Sequence, residues 1–189
     1  MLYLLFANRE LKLMTMKKHN GMRPQDIVVL LKIIALKTDT WRNIDIANGL
    51  HISPSEVSEA LNRCRIARLI DNKKRTVFKN ALSEFLIFGL KYVFPTEPGA
   101  IVRGVPTAHS ASPIKELILS DDKDVYVWPY AKGTARGQAI EPLYQTLPEA
   151  VQEDKLLYDL IAIVDTFRVG RVREINIAVA ELEKRMEHV

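Results

Sequence analysis

The chain has 189 residues, of which 48% are hydrophobic and 26% are charged. A chain of this length can bury a core of its own, and its single cysteine, Cys64, cannot form an internal disulfide. These properties exclude a small secreted scaffold held together by disulfides and are typical of a protein in a reducing compartment. We therefore expect a cytoplasmic protein.

Charge is divided unevenly along the chain, although the net charge is only +4. Residues 1–94 contain 16 Lys and Arg against 8 Asp and Glu, which gives a net charge of +8. Residues 95–189 contain 11 against 15, which gives −4. This asymmetry indicates that the first half meets a polyanion. The alternative is that like charges cluster by chance.

The first segment, residues 1–22, begins with an apolar run that no basic residue precedes. The run is too short for a secretory signal or a membrane span, so neither is expected. Met14 and Met16 precede a basic KKH stretch. One interpretation is that translation begins downstream of Met1, and the other is that this segment is a helix that packs on a partner subunit.

Three helices are predicted between residues 23 and 69. RPQDIVVLLKIIALK, from Arg23, has a proline suited to the first helical turn and an early acid suited to the positive helix end. A shorter helix follows over about residues 43–49. In the third, Ser53 can cap the N-terminus, Pro54 fits the first position and Glu56 completes a capping box, and we expect it to run to about residue 69.

The join between the second and third helices, DIANGLHISPSEVSEALNR at residues 45–63, matches what a helix-turn-helix requires. Ala47 is the small residue in the first helix, and the apolar residues that lock the two helices are Ile46, Leu50, Ile52, Val57 and Leu61. The stretch resembles the helix-turn-helix of bacterial transcriptional regulators. His51 stands where those proteins usually have glycine, and histidine can adopt the left-handed conformation with some strain.

The third helix is predicted to have a packed side and a polar side. At 100° per residue, Val57, Ala60, Leu61 and Cys64 share one side, and Ser55, Ser58, Glu59, Asn62 and Ile66 lie opposite. Serine and asparagine side chains can pair with base edges, and arginine can reach phosphates or guanine. The residues predicted to contact DNA from the helices are Arg42, Ser53, Ser55, Ser58, Glu59, Asn62, Arg63 and Arg65.

The next stretch, RLIDNKKRTVFKN, is predicted to form a small β-hairpin, followed by a helix from Asn80 that ends before Pro95. This order resembles MarR-like winged-helix regulators over residues 23–94. The resemblance implies a mainly α fold with three helices and a hairpin wing over residues 71–79. It also implies a recognition helix at 54–68 and wing contacts to DNA from Lys73, Lys74, Arg75 and Lys79. A basic turn exposed to solvent is the alternative for these residues.

The second half is predicted to consist of a linker and an α-rich region. Four prolines and two glycines mark residues 95–113 as a loop or linker. Residues 114–189 are predicted to contain a brief helix at IKELIL, a strand at VYVWPY, an irregular AKGTARGQ stretch and a helical hairpin with its turn near Gly170. The apolar stripe from Leu156 to Met186 either forms a dimer or packs within one subunit.

Patterns that would support catalysis, a metal or a cofactor are missing from the sequence. The four histidines have no ligand spacing, DDKD at 121–124 lacks the other residues of a calcium loop, and GTARG at 133–137 is not a phosphate-binding loop. TAHS at 107–110 resembles a catalytic pair only in composition. We expect Cys64 to be an inert buried thiol. The arginines of RVGRVRE either pair with nearby acids or bind an acidic partner.

The sequence therefore predicts a homodimeric DNA-binding regulator, a repressor that reads a palindromic site in double-stranded DNA, with no membrane association and no cofactor. A possible small-molecule effector is left undefined. The alternative is an interaction protein, such as an antitoxin, that holds a protein partner through its acidic half, residues 95–189. A winged helix can also serve as a protein contact without DNA.

Overall fold

The computed structural model describes residues 21–118 and 125–187, and this part of the chain is mainly α-helical with a small three-stranded sheet. No helix within these residues is long and apolar enough to cross a membrane. In chain order, the elements are α1 (Pro24–Leu36), α2 (Asn43–Leu50), α3 (Pro54–Ile66), α4 (Lys79–Glu84), a π-helical turn (Phe85–Gly89), α5 (Leu90–Val93), β1 (Ile101–Pro106), β2 (Tyr126–Pro129), β3 (Ala135–Ala139), α6 (Leu147–Ala150), α7 (Lys155–Val169) and α8 (Val172–Glu187).

Side chains cap the first two helices. The Asp26 carboxylate accepts a hydrogen bond of 2.8 Å from the Arg23 backbone N–H, and Asp45 accepts one of the same length from Arg42. α2 ends at Leu50, and the next residue, His51, has a φ of 54° in the left-handed region. The predicted helix starts and the conformation expected of His51 are confirmed.

α3 begins with the predicted capping box. The Glu56 N–H donates to the Ser53 hydroxyl over 3.1 Å, and the Ser53 N–H donates back to the Glu56 carboxylate over 2.9 Å. The helix ends at Ile66, earlier than predicted, because the chain turns at Arg68 with a φ of 59°.

The predicted hairpin is present in minimal form. One antiparallel bridge joins Ile70 to Val77, and the Asp71 N–H donates to the Thr76 carbonyl across the turn over 3.0 Å. The helical stretch that follows, residues 79–93, agrees with the predicted helix except for the π-helical turn inside it.

The linker predicted over residues 95–113 is wrong in part, because β1 lies inside it. β1 pairs antiparallel with β2 and with β3, and β2 pairs parallel with β3, so the three strands close on one another. β2 confirms the predicted strand, whereas β3 occupies a stretch predicted to be irregular. A Cβ on Gly133 would lie 2.2 Å from the backbone of Gly104, so the glycines that suggested loops instead allow this close approach.

The remaining predictions for the second half have mixed outcomes. The IKELIL helix is reduced to a 3₁₀ turn at Lys115–Leu117, and the final helical hairpin is confirmed as α7 and α8. The N-terminal segment up to residue 20 and the DDKD stretch lie outside the described residues.

Buried hydrophobic residues from both halves form one continuous core, with α7 at its centre. Leu157, Leu160, Ile161 and Val164 have no solvent-exposed surface within a single subunit. The stripe considered as a dimer surface is therefore covered along α7 by the chain itself, which is the second of the two interpretations. The second half completes the core of the first.

Candidate nucleic-acid interface

α3 packs one side against α1 and α2 and leaves the other open. Val57, Ala60, Leu61 and Cys64 are at most 2% exposed. Opposite them, Ser55 is exposed, Ser58, Glu59 and Asn62 are partly exposed, and Ile66 is 52% exposed. The predicted division of this helix into a packed side and a polar side agrees with the structure. We call Ser55, Ser58, Glu59 and Asn62 the outer face.

Asn62 lies in the second half of α3. Its side chain is partly exposed and makes no hydrogen bond to any of the described residues. An amide group in this state can donate and accept at the same time, which is the pattern that adenine presents in the major groove. Asn62 is thus the member of the outer face best suited to read a base.

Arg63 was predicted to contact DNA, but it lies in the core. It is 7% exposed, and its guanidinium forms two hydrogen bonds of 2.8 and 2.6 Å to Asp26, which is completely buried. The hydrogen bonds to Asp26 raise the pKa of Arg63. A buried carboxylate requires such a partner, so Arg63 joins α3 to the start of α1 and cannot reach a phosphate.

Glu59 and Arg65 flank this buried pair. The Glu59 carboxylate, whose side chain is 45% exposed, lies 3.6 Å from Nη1 of Arg63. Arg65 is partly exposed in the last turn of α3. Arg68 is exposed just beyond the helix, which the sequence predicted to continue past it.

Ser53 and Arg42 have structural partners at helix starts. The Ser53 hydroxyl takes part in the capping box, and donation from the Ser53 N–H lowers the pKa of Glu56. The Arg42 side chain pairs with Asp45 over 3.0 Å but is 76% exposed. Arg42 therefore remains available to a phosphate, whereas a base contact from Ser53 would compete with its cap.

The hairpin turn is organised by Asp71. Its carboxylate accepts hydrogen bonds from the backbone N–H groups of Thr76 (2.9 Å), Arg75 (2.6 Å) and Lys73 (3.2 Å). These bonds lower the pKa of Asp71. They also hold Lys74 at a φ of 59°, while the Lys73 side chain is exposed at the tip. We call residues 71–76 the basic turn.

Arg75 and Lys79 each form a hydrogen bond to a distant part of the chain. The Arg75 guanidinium stacks 4.1 Å from the centre of the Trp41 ring and donates to the Asp39 carbonyl over 2.7 Å. The Lys79 ammonium donates to the Met186 carbonyl in α8 over 2.9 Å. Arg75 thus fastens the basic turn to the segment before α2, and Lys79 joins the start of α4 to the end of α8. Arg75 is exposed and Lys79 is partly exposed, so their predicted DNA contacts stay predictions.

Lys37 is a further basic residue near the turn that the sequence did not single out. It is exposed, directly follows α1 with a φ of 52° and lines a cavity of about 280 Å³ together with Arg75 and Lys79. The end of α1 lies beside the basic turn, and spacing along the sequence does not report this proximity.

The cysteine, serine and histidine considered for catalysis are buried or contact neighbouring residues. Burial raises the pKa of the Cys64 thiol. The Ser110 hydroxyl accepts a hydrogen bond from the Tyr126 N–H, and Nδ1 of His109 lies 3.8 Å from Glu174.

In the described ranges, no group of three or more His, Cys, Asp or Glu could hold a metal ion. Arg168, the first arginine of RVGRVRE, pairs with Asp165 over 2.7 Å. For this arginine, the structure agrees with the interpretation that it pairs with a nearby acid.

No protein-family model matches the chain, and neither the curated proteins nor the solved structures contain a significant match. The class of site is therefore defined by geometry: a helix with an open polar face, next to a compact basic turn.

Proposed function

We propose that residues 23–94 form a winged helix-turn-helix that binds double-stranded DNA, and that the protein is a transcriptional regulator. The supporting observation is the outer face of α3, where the Asn62 amide has no hydrogen-bond partner among the described residues while the opposite side is packed. In this proposal α3 enters the major groove and Asn62 contacts a base.

Basic residues around α3 would set its position on the duplex. Arg42, Arg65 and Arg68 have solvent-accessible side chains around the helix ends, and Lys73 lies at the tip of the basic turn. Contacts from such residues to phosphates supply affinity and orientation but no sequence information. The net charge of +8 on residues 1–94 supports the same assignment.

We further propose that the protein acts as a homodimeric repressor on a palindromic site, because one recognition helix reads only a few base pairs. Since α7 is buried within the subunit, the dimer requires a different surface. The helical stretch that follows the basic turn carries Phe88 and Tyr92, which are 71% and 75% exposed and one helical turn apart. Light scattering of the protein with and without Phe88→Asp tests this surface, and an unchanged mass would exclude it.

Fluorescence anisotropy with the duplex from upstream of the gene, compared with a scrambled duplex over a salt series, tests DNA binding. We expect tighter binding to the upstream duplex and an affinity that falls steeply with salt. If neither duplex binds at low salt, the DNA proposal fails, and the interaction protein that holds a partner through residues 95–189 becomes the better hypothesis.

A further inference from the structure

β1 and β3 pair as an antiparallel ribbon in which Arg103 lies directly opposite Arg136 and Ile101 lies opposite Gln138. Side chains of paired residues project to the same side of a sheet, and positions two apart share that side. These four side chains therefore lie together, and we call them the ribbon face. Ile101 is 66% exposed, Arg103 and Arg136 are exposed, and Gln138 is partly exposed. This side of the ribbon is thus left open by the part of the chain that the structure describes.

The ribbon face brings two positive charges together. Like charges directly opposite each other destabilise a pair of strands. Neither guanidinium forms a hydrogen bond or an ion pair with a described residue, and neither β1 (IVRGVP) nor β3 (ARGQA) contains an acid. Elsewhere in the second half, by contrast, Arg168 is paired with Asp165. An anion bound between Arg103 and Arg136 would replace their repulsion with favourable contacts to both.

The polar side chains of the ribbon face are all hydrogen-bond donors. Each arginine has five N–H groups and no acceptor, and the Gln138 amide donates through its NH₂ group. A phosphodiester has the complementary character, because its oxygens accept hydrogen bonds and carry negative charge. Arginine and glutamine are among the side chains that contact the phosphates of DNA. The chemistry of this face therefore fits a phosphate backbone.

The ribbon is held firmly by β2 and by the core. A Cβ on Gly104 would lie 2.0 Å from the Trp128 carbonyl oxygen, and one on Gly137 would lie 2.3 Å from the Val125 carbonyl oxygen, so the strands are in close contact. Trp128 is completely buried, and its indole N–H donates to the Asp165 carboxylate over 2.6 Å. A surface that is fixed before binding loses little freedom when a partner binds.

We propose that the ribbon face is a second contact to double-stranded DNA, in which Arg103 and Arg136 bind phosphates of the backbone. This inference rests on the proposed function, because it adds a contact to those made by α3 and the basic turn. Contacts to phosphates carry no sequence information, so the ribbon face supplies affinity while base recognition stays with α3. The second half then takes part in DNA binding despite its net charge of −4.

Fluorescence anisotropy over a salt series, with the full chain and the duplex from upstream of the gene, tests this contact. If each arginine binds one phosphate, Arg103→Gln with Arg136→Gln should lower the slope of log affinity against log salt by about 1.8. Affinity at about 0.1 M salt should fall tenfold or more, by the same factor for the scrambled duplex. Arg173→Gln with Lys184→Gln, at exposed positions of α8, makes the same change in charge and should leave the slope nearly unchanged.

The unfolding temperature without DNA tests the repulsion between the two arginines. Arg103→Gln with Arg136→Gln removes the repulsion, so this variant should be at least as stable as the wild type. Arg103→Glu places opposite charges across the ribbon and should raise the unfolding temperature by about 1–4 °C while DNA affinity falls. A loss of DNA affinity in such stable variants is not explained by misfolding. A lower unfolding temperature in both variants would contradict the repulsion from which the anion site is inferred.

Hydroxyl-radical footprinting locates the contact on the duplex. At protein concentrations that saturate the DNA, the wild type should protect a stretch of backbone that Arg103→Gln with Arg136→Gln leaves open. Protection around the site of α3 should be the same in both proteins. An identical footprint would overturn the inference.

The outcomes of the salt series separate this inference from the proposed function. If the wild type binds DNA and the ribbon variant has the same slope, the second contact is excluded while the proposed function stands. A slope that falls equally in the α8 control attributes the effect to net charge and likewise overturns the contact. If the wild type binds neither duplex at low salt, the proposed function and the ribbon contact fail together.

Discussion

The packed side and the outer face of α3 belong to one helix but contain polar groups of different kinds. On the packed side, Arg63 is paired with Asp26 and almost completely buried. On the outer face, the Asn62 side chain has no partner in the described part of the chain. The difference shows that charge alone is a poor guide to a binding residue, because an arginine within a predicted DNA-binding helix can serve the core.

The largest effect is expected from breaking the buried pair. Asp26→Ala leaves the Arg63 guanidinium buried without its carboxylate, and we expect a loss of about 3–5 kcal/mol in the free energy of unfolding. Urea denaturation measures this change. Asp45→Ala is the matched control, since it removes the equivalent exposed pair with Arg42, and its effect should be much smaller. If both variants lost the same free energy of unfolding, the burial of the Asp26–Arg63 pair would make no difference to its contribution to stability.

A substitution on the outer face should weaken DNA binding and leave the stability of the fold unchanged. Asn62→Ala should weaken binding to the specific DNA site by roughly 1–3 kcal/mol, with little change for random DNA or for stability. Anisotropy with both duplexes measures the difference. Asn176→Ala, an exposed asparagine on α8, provides the control. An equal loss of affinity for the specific and the random duplex would contradict the proposed role of Asn62 in base recognition.

The basic turn should affect affinity without sequence preference. Changing both Lys73 and Lys74 to Gln should weaken binding to specific and random DNA alike. If each of these two lysines contacts one phosphate, the double substitution should lower the slope of log affinity against log salt by about 1.8. Lys115→Gln with Lys132→Gln makes the same change in charge at exposed positions of the second half. A slope that falls equally in this control would mean that net charge, rather than the turn, governs binding.

The smallest effect concerns pH. Hydrogen bonds to the ionised Asp71 hold its pKa below the ordinary value of 3.8. Ionised Asp71 therefore stabilises the folded state above that value, and this contribution disappears as the pH falls through the lower pKa of the folded protein. The difference in unfolding temperature between the wild type and Asp71→Asn should shrink on acidification below about pH 4. A difference that is constant with pH would contradict this account.

Local signals predicted the first half well. The capping box at Ser53, the turn at His51 and the two sides of α3 depend on neighbours within a few residues, so spacing is sufficient to find them. The partners of Arg63, Arg75 and Lys79 could not be found in this way. Arg63 pairs with a residue 37 positions earlier and Lys79 with one 107 positions later, and no periodicity reports such contacts.

The second half shows the same limit more strongly. β1 and β3 were predicted as linker and irregular chain because their glycines and prolines disfavour strands locally. In the fold, these glycines allow backbones to approach closely, a benefit that exists only once the strands are paired. A cavity of about 460 Å³ beside Arg168 is likewise lined by residues that lie far apart in the chain, from Pro24 to Arg168.

The sequence by itself determined where most helices begin and end, which residues of α3 face outward, and that a compact basic turn follows it. Only the tertiary structure decided which charged side chains are free for a ligand and which are bound within the fold. It also decided that α7 lies inside the subunit instead of between two. The physical reason is that a helix start is set by local hydrogen bonds, whereas burial and ion pairing depend on distant segments brought together by the core.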